Sequence, residues 1–180
     1  MSTANKTKWV IDPSHSEISF KVKHLMISNV KGVFREFSAT VYTGADGSLT
    51  PEVEFSMNPA SVDTTDPNRD GHLKSADFFD AEKFPKISFK GTGLEKKSES
   101  EYVLAGDLEI KGISKQVKLN VEFGGIMKDP WGNEKAGYTL EGKINRKDWE
   151  LNWNAALETG GVLVSDEVRL SCEVQLLKQA

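Results

Sequence analysis

The stretch Glu167-Val168-Arg169-Leu170-Ser171-Cys172-Glu173-Val174-Gln175-Leu176 decides the fold. Its apolar residues stand at every second position, and charged or polar residues fill the gaps. A side-chain period of two is that of a β-strand, here with one dry face and one wet face. Antiparallel sheets tolerate a wet face, whereas parallel sheets bury both.

Working outward, the same period recurs along the chain. Ile18, Phe20 and Val22 alternate with Lys21 and Lys23, and Val53, Phe55 and Met57 with Glu52 and Glu54. Ile87 and Phe89 continue the pattern, as do Tyr102, Leu104, Leu108 and Ile110. Val117, Leu119, Val121 and Phe123 follow, then Tyr138, Leu140 and Ile144. Turn-forming clusters separate these runs: Gly44-Ala45-Asp46-Gly47, the polar tip Lys96 to Glu101, Lys111-Gly112-Ile113-Ser114-Lys115, and Asp129-Pro130-Trp131-Gly132-Asn133. Regularly spaced short strands imply an all-β barrel or sandwich of about eight or nine strands.

One segment, 63–85, departs from the alternation. Asp66 is a suitable helix N-cap and Pro67 a suitable first helical residue, so a short helix is expected over Asn68 to Ala76, weakened by Gly71. Asp70 and Lys74 stand four apart, as an ion pair on one helix face would. Phe78, Phe79 and Phe84 are too many aromatics for a bare loop. The excursion should therefore pack on the barrel, over one end.

Composition narrows the function. The 180 residues suit one domain, read as a tail over 1–8 and a barrel over 9–178. Charged residues are 28% of the chain with a net charge of -4, which offers no basic footprint for nucleic acid. No run approaches the roughly 20 apolar residues of a spanning helix, so no stable membrane insertion is expected. Cys172 is the single cysteine and can form no intrachain disulfide. The N-terminus has no apolar segment behind a basic one, so a cytoplasmic location is expected. The oligomeric state stays open, with a homodimer among the options.

No phosphate loop, zinc spacing or EF-hand loop occurs, and Gly91-Thr92-Gly93 is a strand end lacking a third glycine. No nucleophile and base converge in the sequence, and no metal or cofactor is expected. Strand parity instead points twelve side chains inward: Phe20, Val22, Phe55, Phe89, Leu104, Leu108, Leu119, Val121, Leu140, Ile144, Leu170 and Val174. Some of them should line a cavity. His24 shares the parity of Phe20 and Val22, as a backbone-bonded histidine or a polar contact for a ligand. Arg146 shares the parity of Ile144. On a dry face it needs a partner, either a ligand head group or a carboxylate such as Asp148 or Glu150. If the strand ends sooner, Arg146 is wet. Arg69 is a weaker candidate for the same polar end. Cys172 points inward as a small hydrophobe.

Several ordered motifs together resemble the YceI-like polyisoprenoid-binding family. They are Trp9-Val10-Ile11-Asp12-Pro13-Ser14-His15-Ser16 with Phe20-Lys21-Val22-Lys23-His24-Leu25, then Arg69-Asp70-Gly71-His72-Leu73-Lys74-Ser75-Ala76-Asp77-Phe78-Phe79 with Phe84-Pro85-Lys86. Leu104 to Gly112, Asn145-Arg146-Lys147-Asp148-Trp149 and Asp166-Glu167-Val168 continue the match to about Leu176. The resemblance implies an extended, lipocalin-like, eight-stranded antiparallel barrel. It also implies a tunnel for a polyprenyl chain, an isoprenoid quinone or a polyprenyl phosphate, held as ligand without enzymatic chemistry. It carries over no catalytic residue. Two positions depart from the family pattern: Glu150 stands where glycine is usual, and Ser114 where threonine is. The first should reshape the 147–161 loop. Two other readings stand beside the carrier: a hydrolase- or isomerase-like enzyme acting on a luminal small molecule, and a structural or interaction protein with a filled barrel.

Overall fold

A computed structural model describes residues 6–154 and 163–180. Its elements are β1 (Lys6–Ile11), β2 (Glu17–His24), β3 (Ser28–Phe34), β4 (Phe37–Gly44), β5 (Leu49–Met57), β6 (Val62–Asp63), α1 (Pro67–Lys74), β7 (Ile87–Lys96), β8 (Glu101–Ile110), β9 (Ile113–Lys128), β10 (Glu134–Asn145) and β11 (Val164–Lys178). β1 takes in Lys6 to Lys8, three residues of the expected tail.

All pairings are antiparallel. β1 and β2 form one long stave, and β3 and β4 run back along it as the next, with Val10 opposite Thr40 and Ile18 opposite Phe34. β5, β7, β8, β9, β10 and β11 follow in turn. β11 then closes the ring on the first stave, with Leu170 opposite Phe20 and Leu176 opposite Ile11. The result is a closed eight-stranded barrel, in which β6 is a two-residue addition beside β3. Closure leaves no long free sheet edge.

The first stave bends at Asp12. Its carboxylate accepts from the Ser14 N–H (3.1 Å) and the Ser14 hydroxyl (2.7 Å). It also meets His15 Nδ1 at 2.9 Å and Lys135 Nζ at 3.3 Å. The Ser14 hydroxyl above all holds the Asp12 carboxyl well below the usual carboxylate range. Asp12-Pro13-Ser14-His15 is thus a self-bonded corner between β1 and β2.

Close packing inside the barrel needs glycine where an aromatic ring crosses to the next strand. Gly32 lies opposite Phe20, and a Cβ there would stand 2.3 Å from the end of the Phe20 ring. Glycine lets the ring lie over its neighbour.

α1 forms as its N-terminal signal predicts. The Asp66 side chain accepts from the N–H groups of Asn68 and Arg69, although the helix ends at Lys74, two residues sooner than expected. Asp70 does not pair with Lys74. It accepts the Thr64 N–H (2.8 Å) and the Thr64 hydroxyl (2.5 Å) instead. Thr64 is 2% exposed, so its polar groups need a protein partner, whereas Lys74 has water.

The two ends of the barrel differ. One carries α1, the β2–β3 turn and the chain after β10, and is called here the helical end. The other carries the turns 44–49, 96–101 and 128–134. There Trp9, Ile11, Ala136 and Leu176 form a separate buried cluster. The Trp9 indole N–H donates to the Thr43 hydroxyl at 3.0 Å inside it. This cluster is the barrel's floor.

Candidate functional site: the barrel cavity

Above the floor the interior is open. A cavity of about 570 Å³ runs along the barrel, within the range of small-molecule sites. All twelve side chains given inward parity line it: Phe20, Val22, Phe55, Phe89, Leu104, Leu108, Leu119, Val121, Leu140, Ile144, Leu170 and Val174. Alternation places them there, because each faces the same side of its strand. Cys172 lines the cavity too, and burial pushes its thiol up to about 11.

The charged and imidazole side chains of the lining all sit at the helical end. They are His24, Arg69, His72 and Arg146, with Asn68 beside them. Among the described lining residues only Asn68, on α1, is exposed.

Arg146 lines the cavity, as strand parity implied, but not from a strand. β10 ends at Asn145, whose side chain accepts the Lys147 N–H and starts a 3-10 turn over Arg146–Trp149. Arg146 is nevertheless 3% exposed, not wet. Its partners are neither Asp148 nor Glu150. Nε donates to the Ser165 carbonyl (2.9 Å), Nη2 to the Val164 carbonyl (3.3 Å), and Nη1 to the carbonyls of Leu151 and Trp153, the latter at 2.9 Å. Asp166 supplies the nearest charge, at 4.0 Å. The turn carries the guanidinium across to β11, beyond reach of a simple strand extrapolation. Burial lowers the Arg146 pKa, an effect Asp166 opposes, and the group stays charged. Arg146 clamps the 151–153 segment to the start of β11 and has few donors left for a ligand. The expected reshaping of the 147–161 loop falls partly on 155–161, outside the described residues. Glu150 itself adopts φ 59°, ψ 29°, a left-handed conformation that glycine takes more readily.

Arg69 is freer. Nε and Nη2 bond Thr64 Oγ1 and O, each at 2.8 Å, while among the described residues Nη1 meets Asp66 alone, at 3.9 Å. Its side chain is 40% exposed. His72 stands one turn along the same helix face. Its Nε2 meets Asp77 at 2.9 Å, and its ring packs edge-on to Trp153 and Phe78 at 4.6 and 5.0 Å. Asn68, His72, Leu73 and Trp153 were not read as site residues from sequence, since none lies on a strand with parity to read. Arg69 and the aromatic pair Phe78-Phe79 were the signals pointing there, and all three line the cavity. Trp149, 1% exposed, donates its indole N–H to the Leu108 carbonyl at 2.9 Å and fixes the turn beneath. Among the described residues no three His, Cys, Asp or Glu side chains gather to hold a metal.

The YceI-like domain family matches residues 9–176. The chain belongs to this family. A UPF0312 protein of Staphylococcus aureus strain N315 is 39% identical over 170 residues, covering 94% of this chain and 96% of that protein. The YceI protein of Campylobacter jejuni is 35% identical, with a TM-score of 0.74 over 89% of this chain and 91% of its own. A polyisoprenoid binding domain from Saccharophagus degradans, implicated in plant cell wall breakdown, shares the YceI-like fold. Its TM-score is 0.66 at 14% identity, covering 95% of this chain and 98% of its own.

Proposed function

We propose that this YceI-like barrel is a non-enzymatic carrier for one long apolar lipid of the isoprenoid class, a quinone or a polyprenyl phosphate. The observation that carries the reading is the cavity itself: an unfilled interior walled by strand-borne aliphatic and aromatic side chains, with its charged lining at one end only. Such a site suits a molecule with a long apolar tail and one polar head. Each buried methylene contributes about 0.8 kcal/mol. Part of that gain offsets the ordering of the tail. The polyisoprenoid binding domain that shares the fold supports the isoprenoid assignment.

The head group lies at the helical end, against Arg69 and His24. The Nη1 of Arg69, held only by a long contact to Asp66 among the described residues, offers donors to a quinone carbonyl or a phosphate oxygen. Arg146 is assigned to the wall rather than to the head group, since four backbone carbonyls already accept from it.

The test is chemical extraction. Protein purified without detergent from its native cells is extracted with organic solvent, and the extract is analysed by mass spectrometry. A single isoprenoid class near one mole per mole is expected. Extracts free of lipid, together with no uptake of added isoprenoid quinone or polyprenyl phosphate, overturn the proposal.

A further inference from the structure

The β2–β3 turn is the most conspicuous apolar projection at the helical end. Leu25, Met26 and Ile27 are 40%, 57% and 84% exposed. Leu25 and Met26 both adopt positive φ, 53° and 60°, and the Ile27 N–H donates to the His24 carbonyl at 3.3 Å. The loop has three residues, since His24 pairs with Ser28, and two successive left-handed turn residues favour Asn-Gly. The sequence instead places two large apolar side chains there, in water and in an unfavourable backbone conformation. Folding does not account for that choice.

Behind the tip lies a row of cations. Lys143 faces Arg169, Arg169 faces Lys21, and Lys21 faces Lys31, in register across β10, β11, β2 and β3. All four are exposed. Like charges in facing positions oppose sheet formation. Glu17 answers Lys31 at 3.0 Å and Glu167 answers Lys143 at 3.9 Å, but among the described residues no carboxylate pairs with Lys21 or Arg169. Lys23 stands on the same face one step nearer the tip. In a chain of net charge -4, this row is a local exception. Lys21 is three residues behind His24, about 10 Å at the usual strand rise.

We propose that this tip and its cation row dock the protein on an anionic lipid bilayer. Three apolar side chains are too few for a stable protein interface, which needs roughly 1,000 Å². They suit shallow insertion among acyl chains, with cations set back at the depth of the head groups. His24, the residue before the tip, lines the cavity, so docking brings the polar end of the barrel to the bilayer surface. The docking holds whichever molecule fills the barrel, and vesicle binding is read separately from lipid extraction.

The test is co-sedimentation of the full chain with phosphatidylcholine vesicles, with and without phosphatidylglycerol. Binding is expected on the anionic vesicles, weaker on the neutral ones and reduced by salt. The variant Leu25→Asn, Met26→Gly, Ile27→Ser suits the turn better than the natural residues, so unfolding cannot explain its loss of binding. It should bind about tenfold more weakly while melting no lower, and Lys21→Glu with Arg169→Glu should weaken anionic binding about as much. No binding, equal binding to both vesicle types, or unchanged binding by the tip variant overturns the proposal. So does a vesicle-free dimer in sedimentation velocity that the tip variant loses, which would assign the tip to a second copy.

Discussion

At the floor of the barrel, Trp9, Ile11, Ala136 and Leu176 come from strands, point the way alternation dictates and form a buried cluster, of which Ile11 and Leu176 face the cavity. At the helical end the chain leaves the staves. α1, the Phe78-Phe79 pair, a 3-10 turn and the 151–153 segment supply the lining, and backbone carbonyls there are held by one arginine. Strand parity builds a sealed wall. Non-strand elements build an end where polar groups and an exposed residue meet the cavity. The proposed carrier function uses this difference, with the polar head of the ligand at the helical end.

The comparison breaks first at the floor. Trp9→Ala removes a buried indole and its bond to Thr43, and should cost about 4 kcal/mol. Thermal unfolding should then fall by about 12 °C. A loss under about 1 kcal/mol would show that the floor is not the packed end.

Arg146→Met probes the other end. It takes their Arg146 donor from the carbonyls of Leu151, Trp153 and Ser165, while Val164 keeps the Asn154 amide, and should cost about 3 kcal/mol in denaturant unfolding of lipid-free protein. Arg69→Met, at a half-exposed site, should cost under about 1 kcal/mol yet weaken retention of added lipid. Equal stability losses for the two would contradict the division of roles between clamp and head-group contact.

Glu150→Gly should act in the opposite direction. A left-handed non-glycine residue carries about 1 kcal/mol of strain, partly offset by the freedom glycine gives the unfolded chain. A gain of about 0.5 kcal/mol is expected from urea midpoints. A loss would mean that the Glu150 side chain is needed where it stands.

How much of this was legible in the sequence follows the same division. The twelve inward residues read from alternation line the cavity, because a period of two fixes a residue's face. Val30, Ala39, Val41 and Leu94 line it too but were not read, Leu94 because a bulge between Gly91 and Gly93 shifts its parity. α1 was readable from Asp66-Pro67. Arg146 marks where reading fails. Parity carried it inward on a strand, yet Asn145 caps a turn there, and the guanidinium's partners lie up to 19 residues further on. Backbone carbonyls leave no mark in a sequence. His72 and Trp153 meet only because the helix and the 151–153 segment converge, which no periodicity records.

Cys172 offers the smallest perturbation and a clean probe, being the single cysteine and lining the cavity. Burial raises its thiol from 9.0 to about 11, so the thiolate is scarce at neutral pH. Alkylation of lipid-free protein should speed up about tenfold per pH unit beyond 9 and level off only near 11. Levelling near 9 would show an unburied thiol.

The same thiol tests the central claim, that an apolar chain occupies the barrel. The measurement is the alkylation rate of Cys172 at fixed alkaline pH, with and without saturating isoprenoid quinone. A lipid inside the barrel should slow the reaction about tenfold or more, since it covers the wall that carries the thiol. An unchanged rate while the protein demonstrably holds the lipid would place the lipid outside the barrel and contradict the account.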